Sequence, residues 1–206
     1  MFYPRTAEVN GEKALVDESQ VVGYREHLTN VHRMVFVTGV LGGEYDSHDT
    51  LIALDTISHD PIKMVITSPG GELDNTFLFY DTMRMIKSPI ITIGRYCASA
   101  AVLLLVAGSK RYLFPHTKVM MHLAVGQVSG DIKTWEIQQR QMVLYQNKVI
   151  DILLDCGVKR TREQIMIDID REFWLEPQEA IDYGLCDAIL TPQIWQEIIK
   201  EKEDTK

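Results

Sequence analysis

Ser99 stands between Ala98 and Ala100, after one apolar run and at the head of another, CASAAVLLLVA. Small neighbours permit a sharp strand-to-helix turn there. The free N–H groups and positive dipole end of the helix would stabilise an oxyanion beside the hydroxyl, so the placement suits a nucleophile. A serine opening a helix also serves as its N-cap, and its chemistry depends on partners. His122 ends the run KVMM, and a histidine at the tip of an apolar strand is placed to act across the sheet edge as a general base. His116 follows Pro115 in a turn and reads as exposed, while His27, His32, His48 and His59 all lie far upstream of Ser99. Ser68-Pro69-Gly70-Gly71 lacks the spacing of a phosphate-binding loop, and a glycine N–H aimed at a carbonyl oxygen is the better use of it. Asp168, Asp170 and Glu172 precede Phe173-Trp174-Leu175. Such a cluster ordinarily forms a solvated face, but one member behind His122 would orient the imidazole and stabilise its charged form.

Strands and helices in alternation must hold these residues. Met34–Val37 and Lys63–Thr67 are short apolar runs ended by turn residues, as buried strands are. Between them, Asp46–His59 sets Leu51, Leu54 and Ile57 three apart, the inward stripe of a helix. Strand, helix, strand is the unit of a parallel sheet. The rhythm repeats with a helix over Glu72–Lys87, carrying Leu73, Phe77, Tyr80 and Met83 on one face. A strand at Ile90–Ile93, the apolar helix after Ser99, and strands at Tyr112–Phe114 and Lys118–Met121 follow. Asp131–Leu154 is the longest helical stretch, with Ile132, Trp135, Met142, Tyr145, Val149 and Ile152 at helical spacing. At about 1.5 Å per residue it runs roughly 35 Å, long enough to project toward a partner. Thr161 and Gln164 form a capping-box pattern, and Pro177 suits the first turn of another helix. One α/β domain over residues 33–195 is expected, with its long helix at about 131–155, an arm at 1–32 and a charged tail at 196–206.

Composition narrows the function. The 206 residues are 46% hydrophobic and 24% charged, which suits a globular domain with a real core. A formal charge of −8 opposes nucleic acid and anionic membranes, which need a basic footprint. Cys97, Cys156 and Cys186 lack the spacing of a zinc site or disulfide framework, so a reducing, cytoplasmic compartment is expected. No segment reaches the roughly 20 apolar residues of a membrane span, and the N-terminus does not read as a secretory signal.

The runs ITSPGG, YDTMRMIKSPIITI, CASAA, KVMMH and DIDREFWLEPQEAIDYGLCDAIL resemble, in order and spacing, the proteolytic subunits of the caseinolytic Clp serine peptidases. The resemblance covers about Met34 to Leu190. It implies an α/β fold of the crotonase/Clp type, a repeated ββα spiral with a projecting long helix. It also implies a serine endopeptidase with Ser99 as nucleophile, His122 as general base, and Gly71 and Ala100 as backbone donors of the oxyanion hole. Glu172 falls where the family has an aspartate, with Asp170 as competitor; beside Phe173-Trp174, Glu172 would form an imidazole pair screened from water. Further implied are a homo-oligomer of two stacked heptameric rings, an AAA+ unfoldase that feeds it, unfolded polypeptide as substrate, and no metal or organic cofactor. Departures are Leu123 and Ala124 where the family has glutamine and proline, the lead-in Gly94-Arg95-Tyr96-Cys97-Ala98, and an arm without the family's basic and tyrosine-bearing signature. A catalytically silent structural subunit and a crotonase-fold acyl-CoA enzyme are the alternatives.

Overall fold

A computed structural model describes residues 5–9, 12–16, 18–42 and 48–199, with side chains from residue 25 onward. Strands β1 (Arg5–Val9) and β2 (Glu12–Val16) form an antiparallel hairpin, followed by α1 (Glu18–His32). Next come β3 (Met34–Thr38), α2 (His48–Ile57), β4 (Ile62–Ser68), α3 (Leu73–Met85), β5 (Ile90–Ala98), α4 (Ala101–Val106), β6 (Lys110–Leu113) and β7 (Val119–Met121). The chain continues through α5 (Ile132–Asp155), α6 (Arg162–Asp168), β8 (Phe173–Leu175), α7 (Pro177–Tyr183), β9 (Ala188–Ile189) and α8 (Pro192–Ile199).

Among the described residues, the main sheet has seven strands, with β3-β4-β5-β6-β9 parallel in that order. Six of the seven residues of β4 are buried, as expected for a strand covered on both faces. One face carries the larger apolar core, which includes Leu51 and Leu54 of α2, Phe79 and Met83 of α3, all of α4, and Ile150 and Leu153 of α5. Leu28 of α1 and Ile194, Trp195 and Ile198 of α8 cover the other face over Met34, Val65, Ile91 and Ile93. Both chain ends therefore contribute helices that close the sheet. No helix among the described residues is long and apolar enough to cross a membrane.

Strand β5 does the work of branching. Its first half pairs with β6, and its last residues, Cys97 and Ala98, pair with Val119 and Met120 of β7. At the branch point Gly94 O accepts from Phe114 N–H at 3.0 Å and from Thr117 Oγ1 at 2.9 Å. A Cβ at Gly94 would stand 2.6 Å from Leu113 Cδ2, so any side chain there would have to displace Leu113 beside the departing strand. The sequence reading ends β5 at Ile93 because Gly94-Arg95 breaks the apolar run; the strand continues because β7 supplies new partners. In α3 the fully covered face is Thr76, Phe79 and Met83, while Leu73, Phe77 and Tyr80 pack at its margin. Both sets obey helical spacing, and only docking selects between them. Ile57, expected to face inward, is 77% exposed at the end of α2. The expected start of that helix at Asp46 lies outside the described residues, as does the charged tail beyond residue 199.

Candidate active site

The turn from β5 into α4 carries Ser99 at φ +56°, a left-handed conformation that residues with a Cβ adopt rarely and that surrounding structure must enforce. Strand β7 does so: Ser99 N–H donates to Met120 O at 2.7 Å and Cys97 N–H to Lys118 O at 3.2 Å. On the far side of the turn, Ser99 O accepts from Val102 N–H at 3.1 Å, so the helix begins at once. Cys97, two residues earlier, is completely buried, and burial pushes its thiol far up. It offers no competing nucleophile at neutral pH.

The glycine pair packs onto this elbow. Gly70 sits at φ +94°, and a Cβ there would lie 2.7 Å from Ala98 O, 2.8 Å from Ser99 Cβ and 2.9 Å from Ala100 N. Gly71 is locked to Leu41: Leu41 N–H donates to Gly70 O at 2.8 Å and Glu72 N–H to Leu41 O at 3.0 Å. Those bonds leave the Gly71 N–H without a backbone acceptor among the described residues, and the same holds for Ala100, the residue ahead of α4.

Gly71, Ser99, Ala100 and His122 line one cavity of about 580 Å³ whose apolar wall includes Val102, Leu103, Met121, Met142 and Leu153. The size is that of a small-ligand site. His122 Nδ1 lies 2.6 Å from Leu123 O. A carbonyl can only accept, so Nδ1 carries a proton in this contact, and in the neutral imidazole the lone pair is then on Nε2, the tautomer a general base needs. No hydrogen bond joins Ser99 to His122 among the described residues.

The acidic cluster divides. Asp168 accepts from Tyr183 OH at 3.0 Å; burial first, then that bond, raises the phenol. Asp170 is exposed and stands 3.4 Å from Arg171. Glu172 accepts from Trp174 Nε1 at 3.0 Å, and no hydrogen bond or ion pair joins it to His122 among the described residues. Trp174 is 46% exposed, so the expected screening of a Glu172–His122 pair by this ring is absent. In the strand pairing Met120 opposes Trp174 and Met121 opposes Phe173, so His122 and Glu172 each lie one residue beyond the last paired positions. None of the three carboxylates lines the cavity.

Several supports escaped the sequence reading. Leu123 N–H donates to Ile169 O at 3.0 Å, Ala124 N–H to Gln146 Oε1 at 2.7 Å, and Tyr145 OH to Asp74 at 2.7 Å. They pin the segment after His122 and one cavity wall. Each joins residues more than 20 positions apart, and no local motif announces such pairs. Among the described residues no group of three or more His, Cys, Asp or Glu could hold a metal ion.

Known proteins resemble this chain in sequence and in fold. The Clp protease family model matches residues 21–193. ATP-dependent Clp protease proteolytic subunit 1 of Rhodopirellula baltica is 43% identical over 133 residues, covering 63% of this chain and 58% of that protein. The chloroplastic proteolytic subunit 4 of Arabidopsis thaliana is 33% identical over 201 residues, covering 90% of this chain and 66% of that protein. The chain thus spans about six-tenths of the length of these two relatives. Proteolytic subunit 2 of Pseudomonas aeruginosa is 34% identical over 166 residues, with 78% of this chain and 82% of that protein covered. The structure of a ClpP1 mutant from Listeria monocytogenes superposes with a TM-score of 0.75 at 27% identity, covering 86% of this chain and 99% of that one. With the family match running over residues 21–193 and the fold shared over 86% of the chain, the chain belongs to the Clp protease family of proteolytic subunits.

Proposed function

We propose that the chain is a serine endopeptidase in which Ser99 attacks a peptide carbonyl, His122 takes the proton on Nε2 and returns it to the leaving amine, and Glu172 orients the imidazole. The carbonyl oxygen, on becoming an oxyanion, accepts from the Gly71 and Ala100 N–H groups, which have no backbone acceptor among the described residues. Each such donor contributes roughly 10²- to 10³-fold in comparable sites. The observation that carries this reading is the enforced φ of +56° at Ser99, in a cavity shared with His122, Gly71 and Ala100. The Leu123 carbonyl that holds Nδ1 in the free chain yields to the carboxylate when the site is aligned.

The relatives named above are ATP-dependent proteolytic subunits. By that likeness we infer a homo-oligomer of two stacked heptameric rings in the cytoplasm, fed with unfolded polypeptide by an AAA+ unfoldase. Support within the chain comes from α5, where Ile132, Trp135, Ile137, Val143 and Leu144 are all exposed; an isolated subunit would leave that apolar surface in water. Family membership does not favour an acyl-CoA enzyme. A fluorophosphonate probe tests the chemistry: it labels the wild type and not Ser99→Ala, with peptidase activity lost in parallel and native mass unchanged. Absence of labelling in an assembled wild type would instead identify a silent structural subunit.

A further inference from the structure

Glu172 and Trp174 are two residues apart on an extended segment, so their side chains share one face. Opposed residues of an antiparallel pair also share a face, and the pairing that sets Met120 against Trp174 and Met121 against Phe173 would, if carried one step past the strand ends, bring His122 toward Glu172. The alternate pair, Met121 and Phe173, turns to the larger core. Glu172 and Trp174 therefore share a face opposite to that of Phe173, and His122, directly after Met121, lines the cavity. On their shared face the indole Nε1 donates to Glu172 Oε2 at 3.0 Å, and Oε1 has no partner among the described residues. Trp174 remains 46% exposed, so apolar packing is a poor account of a side chain this large at this position.

A glutamate has one more rotatable bond than an aspartate, and its carboxylate left to itself samples more positions. Tying one oxygen to an indole N–H removes much of that freedom and leaves the other oxygen available. We propose that Trp174 is a positioning residue for the reaction: its Nε1–H holds Glu172 Oε2 so that Oε1 is presented to His122 Nδ1, in exchange for the Leu123 carbonyl that the ring contacts at 2.6 Å in the free chain. The inference rests on the reading of Glu172 as the orienting carboxylate. It goes further by assigning a role to a side chain that touches neither nucleophile nor base. Because the bond is charge-assisted but half exposed, its effect is smaller than that of the carboxylate itself.

Steady-state peptidase kinetics on the assembled full-length protein test it. Trp174→Phe keeps an aromatic ring and deletes the donor; kcat should fall by roughly 3- to 10-fold with KM, native mass and the extent of fluorophosphonate labelling retained. In a Glu172→Gln background the same substitution should have no further effect on kcat, since Trp174 acts through the carboxylate. Trp174→His, which keeps a ring N–H, should recover part of the loss. Should the Phe variant fail to assemble, Trp174→Leu takes its place as the donorless form. The proposal is overturned if kcat is unchanged or rises, if KM carries the loss, if the His variant falls as far as the Phe variant, if the same factor persists in Glu172→Gln, or if kcat ignores Glu172→Gln. Any of these with an active, labelled wild type removes the role of Trp174 alone, whereas an unlabelled, inactive wild type removes the peptidase reading itself.

Discussion

At the residue scale, the chemistry rests on one strained turn and on what forces it. Ser99 and His122 should behave as a unit, so Ser99→Ala, His122→Ala and the double variant should lose nearly the same peptidase activity; additive losses, read as kcat on a peptide substrate, would argue against a shared mechanism. Gly70 is a sharper test of the elbow. Its would-be Cβ lies within 2.9 Å of three atoms of Ala98, Ser99 and Ala100, two of them backbone, and its φ of +94° is itself unfavourable for alanine. Gly70→Ala should therefore displace the nucleophile and abolish labelling before it abolishes assembly. Between the candidate carboxylates, Glu172 lies one residue beyond the last paired position, as His122 does, and Glu172→Gln should cut turnover by at least about 10²-fold while Asp170→Asn does far less. The reverse ranking would transfer the role to Asp170.

At the element scale, α5 serves two ends at once. Its C-terminal half anchors in the core through Ile150 and Leu153, and its middle forms a cavity wall through Met142, Tyr145 and Val149. Its N-terminal half exposes Ile132, Trp135 and Ile137. A charge placed at Met142 or Tyr145 would disturb the cavity as well as any subunit contact, so those positions cannot separate assembly from catalysis. Trp135→Glu and Ile137→Glu can: both should reduce native mass to smaller species, and an unchanged mass for both would remove the chain's own support for ring stacking. The helix itself was readable because its apolar positions recur at 3.6-residue spacing over 24 residues and Asp131 caps it, accepting from Thr134 N–H at 2.9 Å. Likewise Thr161 and Gln164 form the expected reciprocal box at the start of α6. The N-terminal helix α1 carries no comparable stripe, and its packing through Leu28 becomes visible only against the sheet face it covers.

At the scale of the whole molecule, stability and chemistry occupy opposite ends of the parallel sheet. Ser99 and Gly71 follow the C-terminal ends of β5 and β4, where ligands bind in open α/β sheets. At the N-terminal ends, Arg33 donates to Leu54 O, Ser58 O, Asp60 O and Ser88 Oγ, and Asp55 accepts from Ser88 Oγ at 2.7 Å and Ser88 N–H at 2.8 Å. The Ser88 hydroxyl first, then backbone N–H groups and His59, hold the Asp55 carboxyl well below its ordinary 3.8. A carboxyl depressed in the folded state stabilises it above the unfolded value and loses that contribution as pH falls through the folded one. Asp55→Asn should therefore lower Tm near neutral pH, with kcat unaffected, and the gap to wild type should narrow as pH drops below about 4; a pH-independent gap would mean that shape rather than charge is at stake. The sequence by itself determined the alternation of strands and helices, because periodicity and turn residues are local signals, and the order and spacing of its motifs gave the family resemblance that singled out Ser99, His122, Gly71 and Ala100 as candidates. Tertiary structure alone decided that β5 runs on past Gly94 to meet β7, that Phe79 rather than Phe77 enters the core, and that Glu172 bonds Trp174 while His122 bonds Leu123. Those outcomes depend on which of several locally equivalent faces, edges and acceptors another part of the chain comes to occupy, and residue spacing carries no record of that.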